Sequence, residues 1–225
     1  MFKKILLLLI ISCALLGSIG LMAQDQDPKK KEIYFGMGPS AYKGDLNGGF
    51  DKWSSSMYLG VKFNRFNKIN GNFTLTIGTV NGQNVNYVFD NGGLPTPAPN
   101  RFFKTKFVGL NYELHYNFID KENLKVYASQ GIGIMRFDPK DEFNTSLIDQ
   151  LETRAPSETY GNITLMLPTQ VGVLYSLPNE LSVGLQLGFS NTLSDYIDNI
   201  STYSAQGGKD NIFSYRFELH IPVSL

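Results

Sequence analysis

Seven ionisable residues occupy positions from which a polar site could be built: Lys62, Glu113, His115, Lys125, Arg216, Glu218 and His220. Each is flanked on both sides by apolar or aromatic residues, so in a strand these side chains lie opposite an apolar face. Imidazoles and carboxylates in one polar interior could relay protons or catalyse hydrolysis. No elbow motif surrounds a serine, so no nucleophile is marked. We favour a network of paired charges without catalytic residues, because each buried charge needs a partner.

A second candidate site is the acidic segment that contains Asp195 and Asp198. Two carboxylates and loop carbonyl oxygens could bind a calcium ion. Their spacing is not that of an EF-hand, and carboxylates in such a loop are usually solvated. We therefore expect no metal and no cofactor.

The strictest alternation of apolar and polar residues lies in residues 213–225. Aromatic and aliphatic residues stand at every odd position of this segment, and its even positions include Arg216, Glu218 and His220. Such period-2 alternation predicts a strand with one face in lipid and one polar face. A terminal strand of this kind resembles the last strand of outer-membrane barrels.

The same alternation predicts eight strands, at about residues 32–43, 52–66, 71–80, 103–118, 124–137, 160–177, 181–191 and 213–225. The connections after the second, fourth and sixth strands are short. Those after the third, fifth and seventh strands are long and polar, and the first connection is intermediate. This arrangement is typical of an eight-stranded antiparallel up-and-down transmembrane β-barrel, all-β and of OmpA or OmpX size. It predicts periplasmic termini and extracellular long loops.

Aromatic residues near the strand ends suggest girdles at the two membrane interfaces. The predicted girdles are Phe63, Phe118 and Tyr175 on one rim and Phe137, Tyr160 and Phe213 on the other. A soluble lipocalin, also built from eight antiparallel strands, is the alternative fold. Its polar face would be exposed to water, whereas the glycine- and serine-rich polar face here suits a narrow, filled lumen.

The N-terminal residues 1–23 have a basic start, an apolar run and small residues before Ala23, as in a secretory signal peptide. A lipoprotein signal that uses Cys13 is the alternative. Residues 24–31 are predicted to be a flexible periplasmic lead-in, and residues 32–225 form the barrel domain. Lys plus Arg and Asp plus Glu are balanced at 20 each, so we expect no nucleic-acid partner.

Two parts of the chain resemble the Bacteroidota outer-membrane barrels related to PorG. Residues 36–46 (Gly-Met-Gly-Pro-Ser-Ala-Tyr-Lys-Gly-Asp-Leu) resemble the glycine-rich first strand of that family and its Tyr-x-Gly-Asp-Leu motif. Residues 167–175 and 188–201 resemble its later strands and its Thr-Asp-Tyr-Leu-Asp-Asp-Val-Ser loop. The matching motif positions are Tyr42, Gly44, Asp45, Asp195, Tyr196, Asp198 and Ser201.

Three positions depart from the family pattern. Ser194 stands where the family usually has Thr, Asn199 replaces the second Asp of a pair, and Asn191 lies where a basic residue is common. The resemblance implies a non-enzymatic anchor or accessory of the type IX secretion system in the outer membrane. Its partners would be outer-membrane lipids, a periplasmic secretion-ring lipoprotein and the partner of that lipoprotein.

Three other functions are compatible with the sequence. A general surface barrel would bind external ligands through its long loops or support envelope integrity. A small membrane enzyme would need a catalytic set at the extracellular rim. A pore is the weakest alternative, because eight strands leave little open channel.

Overall fold

The computed structural model describes residues 31–64, 68–87, 100–150, 161–200 and 208–223. In these ranges the chain forms a closed barrel of eight antiparallel strands in chain order. The strands are β1 (Lys31–Lys43), β2 (Trp53–Phe63), β3 (Ile69–Gln83), β4 (Phe102–Lys121), β5 (Leu124–Lys140), β6 (Ile163–Ser176), β7 (Ser182–Thr192) and β8 (Asn211–Val223). The predicted signal peptide and all of the lead-in except Lys31, which already belongs to β1, lie outside the described residues.

The barrel closes where β8 pairs with β1. Ile33 lies opposite Ile221 and Phe35 lies opposite Leu219, so the last strand completes the ring with the first. Closure pairs the backbone groups that would otherwise form a sheet edge, which is the condition for placing strands in lipid. The described part of the chain contains no helix long and apolar enough to cross a membrane.

The apolar side chains point out of the barrel and the charged ones point in. On β8, Phe217 is 62% exposed, whereas Arg216 and Glu218 on either side of it are buried. The same alternation holds on the other strands, where Met57, Ile77, Ile132 and similar side chains are exposed. An apolar exterior around a polar interior suits lipid and excludes the lipocalin alternative. The prediction of a transmembrane β-barrel is confirmed.

The two ends of the barrel differ in the length of their connections. The short-turn end carries the connections 64–68, 122–123 and 177–181, together with the first residue of β1 and the last residue of β8. The long-loop end carries the connections 44–52, 84–101, 141–162 and 193–210. The predicted alternation of short turns and long loops is therefore present.

Several predicted boundaries differ from the structure because hairpins continue beyond the apolar band. The β3–β4 ladder extends to the pair Gln83 and Phe102, and β5 continues to Lys140. A bulge between Asn117 and Ile119 shifts the register of β4 near the short-turn end. β2, by contrast, ends at Phe63, three residues before its predicted end.

One predicted girdle residue is wrong. Phe137 is only 1% exposed, since it alternates with the outward-facing Arg136 and therefore points inward, like Met135. Phe213 does lie in an aromatic group on the outer face, where its ring centroid is 4.7 Å from that of Phe189. Tyr160 lies outside the described residues.

Candidate functional site

A chain of charged side chains crosses the lumen near the short-turn end. Arg216 Nε lies 2.7 Å from Glu218 Oε1, and Glu218 Oε2 lies 3.1 Å from His220 Nε2. The other ring nitrogen of His220 lies 2.9 Å from Glu32 Oε2. Asn64 Nδ2 completes the chain by donating to Glu32 Oε1 at 2.5 Å. Strict alternation on β8 aims Arg216, Glu218 and His220 into the same interior, two residues apart.

The guanidinium group of Arg216 also contacts side-chain amides and an aromatic ring. Its guanidinium donates to Gln170 Oε1 at 3.0 Å and also to Gln186 Oε1. The same group lies 4.7 Å from the ring centroid of Tyr58. A guanidinium with this many fixed acceptors is held in one orientation, as structural pairing in a filled lumen requires.

A second cluster surrounds Glu113. Its carboxylate accepts hydrogen bonds from Asn111 Nδ2 and Ser129 Oγ, each at 2.6 Å, and lies 3.7 Å from His115 Nε2. The His115 ring stacks on Tyr127 at a centroid distance of 4.6 Å. Glu113 is therefore a multiply bonded acceptor, and the cluster contains no aligned hydroxyl–imidazole–carboxylate series.

The two predicted lumen lysines have different surroundings. Lys62 is buried, with Nζ 4.8 Å from the ring centroid of Tyr127, and the described residues offer Nζ no hydrogen-bond partner. Lys125 is only half-buried and lies at the short-turn end beside Asp120, its partner in the β4–β5 register. Six of the seven predicted network residues therefore lie together in the lumen, and Lys125 lies at its rim.

The lumen above this network is filled by side chains. Tyr34, stacked on His220 at 4.8 Å, hydrogen-bonds Thr74 across the interior at 2.5 Å. Farther up, a cavity of about 20 Å³ lies between Tyr58, Phe107 and Arg216. A space of this size has room for about one water molecule. The interior is a packed polar core.

The motif residues at the ends of β1 and of the β7–β8 connection meet at the long-loop end. The Tyr42 hydroxyl lies 2.7 Å from Asp198 Oδ2 and 2.6 Å from Asp210 Oδ1. A hydroxyl carries one proton and donates to one acceptor, so the second short contact requires a proton on a carboxyl group. We call these three residues the latch.

The chain around Gly44 fits closely onto the latch. A Cβ atom added to Gly44 would lie 1.9 Å from Tyr42 Oη and 2.2 Å from Asp210 Oδ1. The next residues continue the contact, because the Leu46 backbone N–H donates to Asp198 Oδ2 at 3.2 Å. These distances give physical reasons for Tyr42 and Gly44. The Leu46 side chain is explained by its burial in the apolar cluster at the barrel mouth.

Residues 194–200 fold over the mouth of the barrel and form, with the latch, what we call the loop cap. Ile197 and Ile200 are buried in one apolar cluster with Leu46, Phe103 and Phe137. Thr105 Oγ1 donates to the Ile197 carbonyl oxygen at 2.5 Å, which ties the segment to β4. The cap therefore packs into the barrel and is not a free surface loop.

The predicted motif positions mostly take part in this cap. Tyr196 and Asp45 are buried, and Asp195 is half-buried. Asn199, the departure from the family Asp, has φ of 68°, which Asn adopts more readily than most residues. Ser201 lies outside the described residues.

The expectation of solvated carboxylates in this segment is wrong for Asp198. Asp198 is 1% exposed, and burial together with the charge of Asp45 raises its pKa from 3.8 to about 8. Burial, followed by the charge of Asp198, also raises the pKa of Asp210 well above its ordinary value. Burial and like charge, which raise both pKa values, favour a proton retained on this pair of carboxyls, and Tyr42 bridges the two groups. In the described ranges, no group of three or more His, Cys, Asp or Glu side chains is placed to hold a metal ion.

Sequence reasoning missed Glu32 and Asp210. Glu32 has the same parity as Tyr34 on β1, so alternation alone could have placed it in the lumen network. Asp210 precedes β8 and belongs to no repeating pattern, so only the folded connection reveals its contact with Tyr42.

Comparisons with known proteins support the fold. No protein-family model and no curated protein matches the sequence. Among solved structures, Neisserial surface protein A (NspA) has a TM-score of 0.53 and 11% identity, over 86% of this chain and 97% of that one.

Two further structures have lower scores. Ail, the attachment invasion locus protein of Yersinia pestis, has a TM-score of 0.49 and 10% identity over 86% of this chain and 98% of its own. A major outer membrane protein from Thermus thermophilus has a TM-score of 0.47 and 12% identity over 85% of this chain and 99% of its own. At such low identity, the similarity to NspA shows the fold alone, which is that of a small outer-membrane β-barrel.

Proposed function

We propose that this protein is a non-enzymatic, non-conducting outer-membrane anchor, and that it serves as an accessory of envelope secretion machinery. The proposal is supported mainly by the filled lumen. The charge network occupies the lumen, and the loop cap closes it above the network. In the described part of the chain, the filled interior leaves little space for a solute, which favours a function on the outer surfaces. The sequence resemblance to PorG relatives favours the type IX secretion system. In this proposal the short-turn end faces the periplasm.

The short-turn end offers a surface for a periplasmic partner. At the β4 bulge, the consecutive residues Phe118 and Ile119 are 64% and 39% exposed. A bulge re-aims side chains, and here it exposes Ile119 directly after Phe118, the last outward residue of the regular alternation. An open cleft of about 540 Å³ beside them is lined by charged groups, including Lys121 and Lys125. Phe118 is the last residue of the lipid-facing apolar run of β4, and Ile119 lies beyond it among charged groups. The patch is therefore at the membrane boundary, where a periplasmic partner can contact it.

The experiment is affinity purification from the native outer membrane in mild detergent, followed by mass spectrometry. We expect stoichiometric recovery of a periplasmic ring lipoprotein and its partner with the wild-type barrel. Phe118→Ser should lower that recovery. Phe143→Ser removes an equally large exposed ring at the opposite end of the barrel and should leave it unchanged. Recovery of the barrel alone would contradict the secretion role.

A second candidate function is ligand binding by the long loops, exposed outside the cell in this orientation. Val85 and Phe143 are 58% and 80% exposed and line a small cleft of about 170 Å³ between two loops. For this candidate, Phe143→Ser would impair attachment to an external surface and Phe118→Ser would not. The same pair of variants therefore separates the two functions. A membrane enzyme ranks below both, because His115 and His220 lie deep in the lumen toward the short-turn end.

A further inference from the structure

Four basic side chains lie together on the outer face of the barrel at the long-loop end. Lys104 and Lys106 are on β4, and Arg136 and Lys140 are on β5. The register places Lys104 opposite Lys140, and Arg136 opposite Val108, the outward residue that follows Lys106. The alternate residues Thr105, Phe137 and Pro139 are buried inward, so all four cations share one outward surface, which we call the basic band.

Most of this positive charge is not neutralised. The acidic residue among the outward positions of the band is Asp138, which lies opposite Lys106 in the register. Its Oδ2 lies 3.8 Å from Lys140 Nζ, so one carboxylate serves four cations. Lys106 and Arg136 form no ion pair with any described residue. The nearby Asp141 carboxylate accepts hydrogen bonds from the backbone N–H groups of Phe143 and Thr145, so it is engaged in its own turn.

An open cleft of about 750 Å³ adjoins the band. The outward side chains of Met57, Ile77 and Val108 form its apolar part. Its charged part consists of the two cations Lys106 and Arg136 and the single carboxylate of Asp138. Residues Ile148 and Asn162 of the β5–β6 connection border it. The cleft therefore offers an apolar wall and a cationic rim to the same ligand.

The band lies at the boundary of the membrane. Outward apolar side chains on β4 run from Val108 to Phe118. At about 3.3 Å per residue and a tilt of about 40°, this run has a height of about 25 Å, the apolar thickness of an outer-membrane barrel. Lys106 is the first outward residue beyond it. The cations thus lie at the depth of lipid headgroups, and the apolar part of the cleft lies at the depth of acyl chains.

The other side of the barrel has a different lining at this level, although Lys43 at the end of β1 is exposed there. On the face formed by β7, β8, β1 and β2, the corresponding level carries aromatic rings in mutual contact: Phe50, Trp53, Phe189, Phe213 and Tyr215. Aromatic rings anchor a barrel in any bilayer interface, whereas a cluster of cations attracts anionic headgroups.

We propose that the basic band and its cleft bind one phosphorylated glycolipid of the outer leaflet, with its phosphate on Lys106 and Arg136 and its acyl chains against Met57, Ile77 and Val108. A guanidinium binds phosphate oxygens in a bidentate manner, and an ammonium group adds a mobile point charge. The inference rests on the proposed orientation, in which the long-loop end faces outward, but not on any secretion role.

The test is native mass spectrometry of the full-length barrel in detergent with bisphosphorylated lipid A as the probe. The wild-type barrel should retain one lipid molecule. The double variant Lys106→Gln with Arg136→Gln should bind it roughly 30-fold more weakly, since each cation contributes to attraction of an anionic headgroup. Asp138→Asn, which removes the acidic group of the band, should bind it severalfold more tightly. Dephosphorylated lipid A should bind as weakly to the wild type as lipid A binds to the double variant.

The matched control is Lys121→Gln with Lys125→Gln, which removes the same charge at the short-turn end and should leave binding unchanged. All the altered positions are at least partly exposed, and heat-modifiable migration on a gel verifies that each variant is folded. Three results would overturn the proposal: unchanged binding by the band variant, an equal loss in the control variant, or equal binding of dephosphorylated lipid. Tight binding of phosphatidylglycerol at the same site would also overturn it, since the site would then select charge without the glycolipid.

Discussion

At the scale of single residues, the charges inside the barrel differ in how many partners hold them. Arg216 contacts Glu218, Gln170 and Gln186, whereas Lys62 Nζ has an aromatic ring beneath it and no acceptor among the described residues. Removing one member of a buried ion pair leaves the other charge uncompensated, which costs more than removing a weakly held group.

Arg216→Met should therefore lower the free energy of unfolding by about 3–5 kcal/mol, because Glu218 loses its ion pair. Lys62→Met, a similar change of shape and charge in the same lumen, should change the free energy of unfolding little or raise it, because Nζ has no hydrogen bond to lose and its burial is unfavourable. Urea unfolding of the two variants in detergent micelles measures both values. Equal losses would show that the network depends on total charge and not on these contacts.

Gly44 is the residue on which the fit of the latch depends. In Gly44→Ala the new methyl group would overlap the Tyr42 hydroxyl and Asp210, so the latch must open or shift. We expect faster protease cleavage within residues 193–200 in a barrel that is otherwise folded. Gly49→Ala is the control, because a Cβ there would meet nothing within 4 Å. Equal cleavage of the two variants would mean that the latch does not hold the cap.

At the scale of elements, the loop cap combines an apolar cluster with carboxyls that retain protons. An acid whose pKa is raised on folding binds a proton that the open form releases. The closed cap is therefore most stable below pH 3.8, the ordinary pKa of an Asp side chain. This added stability is lost as the pH rises toward the raised pKa of Asp198, about 8.

Hydrogen exchange of the backbone amides of Ile197 and Ile200, corrected for intrinsic rates, tests this pH dependence. Opening of the cap should become at least about tenfold more frequent between pH 5 and pH 9, since each unit of pKa difference is a factor of ten. The Asp210→Asn variant keeps the shape of the side chain but removes one carboxyl group. In this variant the frequency of cap opening should depend less on pH. An opening frequency that is independent of pH would refute the retained proton.

At the scale of the whole molecule, two closures lie in series along the barrel axis. The cap blocks the long-loop end, and the network from Arg216 to Glu32 blocks the other half. Each closure has its own contacts, so the loss of one leaves the other in place.

Conductance in a planar bilayer measures this arrangement. The wild-type barrel should show no resolved channel, and Asp210→Ala, which loosens the cap, should show none either. Asp210→Ala combined with Arg216→Ala should give detectable current, because both closures are then weakened. A steady channel in the wild type would exclude the proposed non-conducting anchor.

Much of this architecture can be predicted from alternation alone. A strand has a side-chain period of two, so a residue such as Leu219 between Glu218 and His220 must face lipid if its neighbours face the lumen. All seven predicted network residues have the inward parity, and six of them are buried in the lumen. Lys125 lies at the rim, because strand parity gives the side that a residue faces and not its height along the barrel.

The sequence by itself determined the number of strands, their facing and the alternation of short and long connections, because each depends on local periodicity. Tertiary structure decided which residues of separate segments meet. Tyr42 and Asp198 are 156 positions apart, and nothing in either segment specifies that a loop folds back into the barrel mouth. The contact of Asp198 and Asp210 with Tyr42 follows from closure of the barrel between β1 and β8. The cleft beside Lys106 follows from the packing of β2 to β5 with the β5–β6 connection.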